Sequence, residues 1–171
     1  MTSGANVHLY PSPMTHESRI LKITKTLADG GVFRRIDVMA ALEDGLPEVQ
    51  DIDGRRRVLR VKKSLCRSSS STFWKAMRTL EWSWRLKDSL LGRPVACVNC
   101  HSLAALPLCV FLKRRKGAAL VYDTHELETE TLHTKGLRRV IARGSYPAFM
   151  LQGPVLVGLA LSLRPTGLPA E

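Results

Sequence analysis

The sequence predicts an α/β domain with a mostly parallel, doubly wound sheet and helices on both of its faces. Three observations lead there. Short apolar runs alternate with segments of helical periodicity along most of the chain. The intervening helices are long enough, at about ten residues or more, to serve as crossovers between parallel strands. The length of 171 residues suits one domain of ordinary size, and 44% hydrophobic residues supply a core and exclude a disordered chain. Together these describe a Rossmann-like fold.

The elements follow in order. Residues 6–10 are an apolar run ended by Pro11 and Pro13, hence a first strand. Thr15 can cap a helix with Glu17 in its first turn, Ile20, Leu21, Ile23 and Leu27 carry its apolar side, and Gly30 and Gly31 stop it. A second strand lies within residues 32–42, centred on Ile36, Val38 and Met39. Residues 43–53 are acidic and turn-rich, and residues 55–61 alternate enough to form a third strand, with some charges as the solvated face of a sheet edge. Residues 68–72 are small and polar. Residues 73–91 then form a long helix whose apolar face is read as Phe73, Met77, Leu80 and Trp84, with Trp74 and Trp82 flanking it. Gly92 and Pro94 end that helix. Residues 95–100 form a strand, 103–112 a helix and, after Gly117, 118–122 a further strand.

Charge narrows the partners. Lys and Arg number 26 against 15 Asp and Glu, a formal balance of +11 that points to an anionic partner: nucleic acid, an anionic lipid surface or a phosphorylated substrate. The basic residues fall in two groups, one spanning Arg55, Arg56, Arg57, Arg60, Lys62, Lys63 and Arg67, the other Lys113, Arg114, Arg115 and Lys116. The second group ends a helix, where cations complement the negative pole. Neither group comes with an RNA-binding aromatic signature, a helix-turn-helix spacing or a zinc finger, so nucleic acid ranks second.

The segment Cys97-Val-Asn-Cys-His101 has the spacing of a c-type haem attachment site. Two features argue against that reading. The opening residues MTSGANVHLYPSP have no basic region and only a brief apolar run, so no export signal is expected there. On a strand, moreover, side chains three residues apart face opposite ways and cannot both reach one macrocycle. Four cysteines read instead as reduced cytosolic thiols, and no cysteine pairing or carboxylate-histidine cluster has the spacing of a metal site.

In doubly wound sheets, ligands bind beyond the carboxyl ends of the strands. That rule gathers His16 and Arg19 after the first strand, His101 after the CVNC strand, and Asp123, His125 and Glu126 after the last. Imidazoles there can bond a sugar hydroxyl or accept a proton, carboxylates can fix their tautomers, and the helix opening near His16 suits an anion.

The stretches NVHLYPSPMTHESRILKITKTLADGG and PVACVNCHSLAALPLCVFLKRRKGAALVYDTHELETE resemble the N-terminal half of retaining, sugar-nucleotide-dependent glycosyltransferases of the GT-B architecture, the group 1 or family 4 class. In both, a strand ending in histidine precedes a Leu, Ala and Pro-rich helix, a basic turn with glycine, and a strand running into Asp-x-His-Glu-Leu. The resemblance spans residues 6–143. It implies an enzyme half that binds an acceptor while a second domain binds a nucleotide sugar; the reduced thiols make it cytoplasmic, and the basic surface would draw it to the inner face of an anionic membrane. It implies His125 as the catalytic histidine near the transferred sugar. It matches His101 and Arg19 to family positions; with Asp123, Glu126 and His16 from the strand-end rule, these are the expected substrate-binding residues, with no metal and no cofactor beyond the nucleotide-sugar co-substrate. The chain departs from the pattern in lacking a Gly-Gly turn in the first loop, in having Ser102 where an acidic residue is frequent, and in having no Glu-x7-Glu donor element. Transfer by this chain alone is therefore expected to be weak or absent.

The expected organisation is a Rossmann-like domain over residues 1–143 and an apolar tail over 144–171. The tail is read as non-native or disordered, the mark of a truncated or frame-shifted end. Its apolar stretch is broken by Gly153, Pro154 and Gly158 and falls short of the roughly 20 residues that span a bilayer. Two other readings compete: a non-catalytic basic α/β module for nucleic acid or anionic surfaces, and a stand-alone enzyme working through Asp123 and His125.

Overall fold

The structure, a computed structural model, describes residues 3–63, 72–124 and 156–159. The strands are β1 (Ala5–Leu9), β2 (Ile36–Leu42), β3 (Val49–Asp51), β4 (Arg56–Lys62), β5 (Val95–Cys100), β6 (Ala119–Thr124) and β7 (Leu156–Leu159). The helices are α1 (Ser18–Asp29), α2 (Thr72–Leu91) and α3 (Leu106–Lys116), with a single 3₁₀ turn over Leu103–Ala105. The strands form one sheet in the order β3-β4-β2-β1-β5-β6-β7. Every neighbouring pair is parallel except β3 with β4.

From β1 the chain winds outward through β2 to β4, then returns to β1's other side and winds through β5, β6 and β7. The winding reverses between β1 and β5, and the carboxyl ends of the strands at such a point are the usual ligand position in these sheets. The doubly wound fold expected from the alternation of strands and helices is the observed one.

Helices cover both faces. Under α2 and α3, Val7, Leu9, Met39, Val98, Cys100, Leu120 and Tyr122 from the strands pack with Trp82, Leu86, Leu90, Cys109 and Leu112 from the helices. Under α1, Ile20 and Met14 pack on Val38, Ala40 and Val58. Fully buried side chains of this size contribute about 1.5–3 kcal/mol each relative to exposure, so these two layers hold the fold.

The sequence reading of α2 chose the wrong face. Its buried stripe is Trp82, Leu86 and Leu90, at i, i+4 and i+8, whereas Met77, Leu80 and Trp84 are exposed, Trp84 at 68%. Both stripes satisfy helical periodicity; what separates them is that the Trp82 indole N–H, buried with its ring, donates to the Ala40 carbonyl at 3.1 Å. Three smaller differences follow from local geometry. The acidic segment contains β3, which pairs antiparallel with β4 and makes β4 an inner strand instead of an edge. Helix α1 begins at Ser18 with Glu17 at the cap position and no side-chain cap bond, so Thr15 does not cap it. The chain from Tyr10 to Glu17 instead closes through Met14, buried at φ 62, a left-handed conformation that costs a residue with a Cβ about 1–2 kcal/mol.

Helix α3 ends as expected, with Lys113, Arg114, Arg115 and Lys116 in its last turn and Gly117 in the left-handed conformation at φ 66. No helix among the described residues is long and apolar enough to cross a membrane. Strand β7, which extends the sheet beside β6, comes from the segment read as an apolar tail. His125 and Glu126, and the rest of that tail, lie outside the described residues, as do all residues of 125–155 and 160–171.

Candidate functional site

Parallel strands covered on both faces are ordinarily apolar throughout. Here β1 and β5 break that rule on one face only. Asn6 and His8 alternate along β1, Asn99 and His101 along and just past β5, and all four are buried on the face that α1 covers. The register pairs Asn6 with Cys97 and His8 with Asn99, so each polar residue of β1 meets its β5 counterpart two positions further along. The Asn99 amide donates to the Asn6 side-chain oxygen at 2.8 Å, and His8 Nδ1 lies 2.8 Å from His101 Nε2. The two imidazoles are within 12° of coplanar.

The line of contacts continues across the sheet. His101 Nδ1 is 3.1 Å from Asp123 Oδ2 near the end of β6, and the other carboxylate oxygen receives the Arg19 guanidinium from the first turn of α1. Four residues from β1, β5, β6 and α1 thus form one chain, His8, His101, Asp123, Arg19, at the edge where the sheet reverses. Arg19 is its outermost member, with a quarter of its side chain exposed, while His8 is fully buried.

The hydrogen-bond inventory orders the protons. With Asp123 as the carboxylate, His101 donates from Nδ1 and keeps Nε2 as an acceptor. His8 then donates from Nδ1, and its Nε2 is left as a buried lone pair with no hydrogen-bond partner among the described residues. Burial holds the His8 imidazole well below its ordinary pKa of 6.5; the neighbouring His101 pushes the same way and Asp123 opposes them. A neutral His8 is what this proton order requires.

A second contact lies at the same edge of the sheet. The Tyr10 hydroxyl, just past β1, donates to Glu17 at the start of α1, and burial followed by that carboxylate raises the phenol's pKa. This joins the end of β1 to the helix that supplies Arg19.

The structure therefore brings together three of the residues singled out from the sequence, His101, Asp123 and Arg19, and adds His8. His16 is exposed on the loop before α1 and takes no part in the chain of contacts. His125 follows Thr124 directly but falls, with Glu126, outside the described residues. His8 had a signal that was missed: Asn-x-His occurs at residues 6–8 and again at 99–101, polar residues at a spacing of two inside apolar strands.

The CVNCH residues do not converge. Cys100 sits in the core beneath α2 and α3, its thiol donating to the Ser102 carbonyl at 3.2 Å, while Cys97 lies on the opposite face beside Asn99. Both His101 ring nitrogens are engaged by His8 and Asp123. Among the described residues no group of three or more His, Cys, Asp or Glu side chains is placed to hold a metal ion.

No protein-family model matches the sequence, and no curated protein is similar to it. Solved structures are similar in fold. Sucrose-phosphate synthase from Thermosynechococcus elongatus superposes over 90% of this chain with a TM-score of 0.67 and 9% identity. A second, twinned structure of the same enzyme gives 0.51 and 10% identity, with 86% of this chain and 98% of that one covered. The chain spans about half, 47%, of the first of these structures. At such identities the likeness is one of fold, and the fold it shows is a Rossmann-like α/β domain.

Proposed function

We propose that this chain is the acceptor-binding half of a retaining, nucleotide-sugar-dependent glycosyltransferase of the GT-B type, akin to family 4. One observation carries the reading: the chain of contacts His8, His101, Asp123 and Arg19 lies at the carboxyl edge of the sheet, across the point where its winding reverses. Polar side chains buried at that edge have no packing role that apolar ones would not fill better, and the edge is where such folds bind ligands. The sequence resemblance and the fold of sucrose-phosphate synthase, an enzyme named for making a sugar phosphate, support the same class.

In this reading Arg19 and Asp123 present a guanidinium and a carboxylate to acceptor hydroxyls, a pairing suited to orienting a polyol. His101 holds the Asp123 carboxylate in place, and His8 holds the His101 tautomer. His125 and Glu126, which follow β6 directly, act on the transferred sugar and the acceptor, with His125 as the catalytic histidine, and His16 borders the acceptor. The donor is a nucleotide sugar bound by a second domain, no metal takes part, and this chain alone transfers weakly or not at all. The positive charge favours cytoplasmic work beside an anionic membrane face.

The test is binding of unphosphorylated hexoses and disaccharides to the full chain, followed by saturation-transfer NMR. At least one sugar should bind saturably at about millimolar concentration, and Arg19→Met should weaken it with the fold intact. Absence of binding across the panel would remove the acceptor reading. Steady transfer from a nucleotide sugar by the chain alone would favour a stand-alone enzyme using Asp123 and His125.

A further inference from the structure

A cavity of about 450 Å³ opens at the other end of the sheet, where β1, β2, β4 and β5 begin. Six arginines among the described residues line it: Arg34 and Arg35 before β2, Arg55, Arg56 and Arg57 at the start of β4, and Arg93 before β5. Against them stand Asp37, Asp51 and Asp53. The volume is that of a small-molecule site.

The arrangement is more than a scatter of surface charge. Asp37 is 1% exposed and takes three guanidiniums at once: Arg57 Nε at 2.7 Å, Arg35 Nε at 3.0 Å and Arg93 Nη1 at 3.5 Å. One carboxylate among three guanidiniums leaves the cluster two positive charges in surplus, held close together by segments from β2, β4 and the turn before β5. Arg56 is tied to Asp53 at 2.7 Å, and Arg55 reaches the Ala28 carbonyl at the end of α1. Arg34 is exposed and makes no hydrogen bond or ion pair among the described residues.

Guanidiniums fixed in register by a buried carboxylate are oriented forks, and planar forks bind phosphate oxygens in pairs. An anion would relieve the repulsion among them. Among the described residues no aromatic ring lines the cavity, so they offer no stacking platform of the kind on which bases of single-stranded nucleic acid rest. We propose that this arginine-lined cavity at the amino edge of the sheet is a second binding site, separate from the acceptor site, for a small molecule carrying two or more clustered phosphates. The same chemistry is offered by a free phosphorylated metabolite or by a phosphorylated lipid headgroup.

Pyrophosphate is the probe for the full 171-residue chain, titrated by calorimetry. Binding should weaken about tenfold in Arg34→Ala and again in Arg35→Ala, and fall as salt rises. Arg114→Ala, on the exposed last turn of α3, should leave it unchanged. Because Arg34 has no partner among the described residues, its replacement leaves the fold in place, which far-ultraviolet circular dichroism checks. Co-sedimentation with phosphatidylcholine vesicles containing phosphatidylinositol bisphosphate separates the two sources. If pyrophosphate competes with vesicles and both need Arg34 and Arg35, the headgroup is the ligand; if only pyrophosphate binds, a free metabolite is. Binding of neither probe, or binding indifferent to both substitutions, overturns the proposal. Tighter, length-dependent binding of an oligonucleotide through these arginines also overturns it, in favour of a nucleic-acid surface.

Discussion

His8 Nδ1 and His101 Nε2 face each other at 2.8 Å across the two strands between which the sheet reverses its winding. A pair of imidazoles at that distance shares one proton between two nitrogens, so the pair is stable only while the acceptor nitrogen keeps its lone pair. Asp123 secures this by accepting a hydrogen bond from His101 Nδ1, which keeps the proton there and the lone pair on Nε2, while burial disfavours a second proton on His8.

A pH dependence follows. The unfolded chain takes up a proton on His8 near pH 6.5, whereas the folded chain resists it well below that value. Stability from this group is therefore complete above about pH 6.5 and declines as pH falls, by about 1.4 kcal/mol per pH unit, until the depressed folded value is reached. Urea unfolding should show a contribution that is flat from about pH 7.5 to 6.5 and falls toward that slope below about pH 6.5 in the wild type, with a shallower fall in His8→Gln.

The Arg19 and Asp123 pair should be energetically coupled. Asp123 sits between a guanidinium and an imidazole and is 8% exposed, so Asp123→Asn should lower stability by about 2–3 kcal/mol through loss of bonds to the charged groups. Combined with Arg19→Met, the double variant should be less destabilised than the sum of the two, by about 1 kcal/mol or more in a thermodynamic cycle.

The two faces of α2 make a sharp contrast. Trp82→Ala empties a fully buried site and breaks the bond to Ala40, and should cost about 3–5 kcal/mol. Trp84→Ala, at 68% exposure, should change stability by less than about 0.5 kcal/mol. A larger loss for Trp84→Ala than for Trp82→Ala would mean that the helix presents its other stripe to the sheet.

Thiol chemistry tests the CVNCH segment. Burial raises the Cys97 thiol above its ordinary pKa and raises Cys109, which packs against Cys100, much further. Native protein treated with iodoacetamide should leave Cys97, Cys100 and Cys109 unmodified over a period in which unfolded protein reacts fully, as mass spectrometry of the peptides would show.

Much of this architecture was legible in the sequence, because each strand and crossover helix is marked locally. Gly30 and Gly31 stop α1, Gly92 and Pro94 bound α2, Gly117 ends α3, and apolar runs lie between them. The carboxyl-edge rule then pointed to His101, Asp123 and Arg19 without any knowledge of their contacts. Features that depend on which elements meet were not legible. The α2 stripe was misassigned because both of its faces are apolar, and β3 was hidden because three residues with no apolar pattern form a strand only when β4 pairs with them. His8 was passed over since a histidine in the first strand gains meaning only when β5 lies beside it. The arginines of the amino edge come from three separate segments and looked like unrelated surface charge until the sheet gathered them around Asp37.

The most direct test of the acceptor site is nitrogen-15 NMR of the Arg19 guanidinium and the His101 ring during titration with unphosphorylated hexoses. The account predicts that at least one sugar shifts both sets of signals saturably with one common dissociation constant, while pyrophosphate leaves them in place. Signals that stay fixed with every sugar, in a chain whose histidine resonances confirm the native fold, would contradict it.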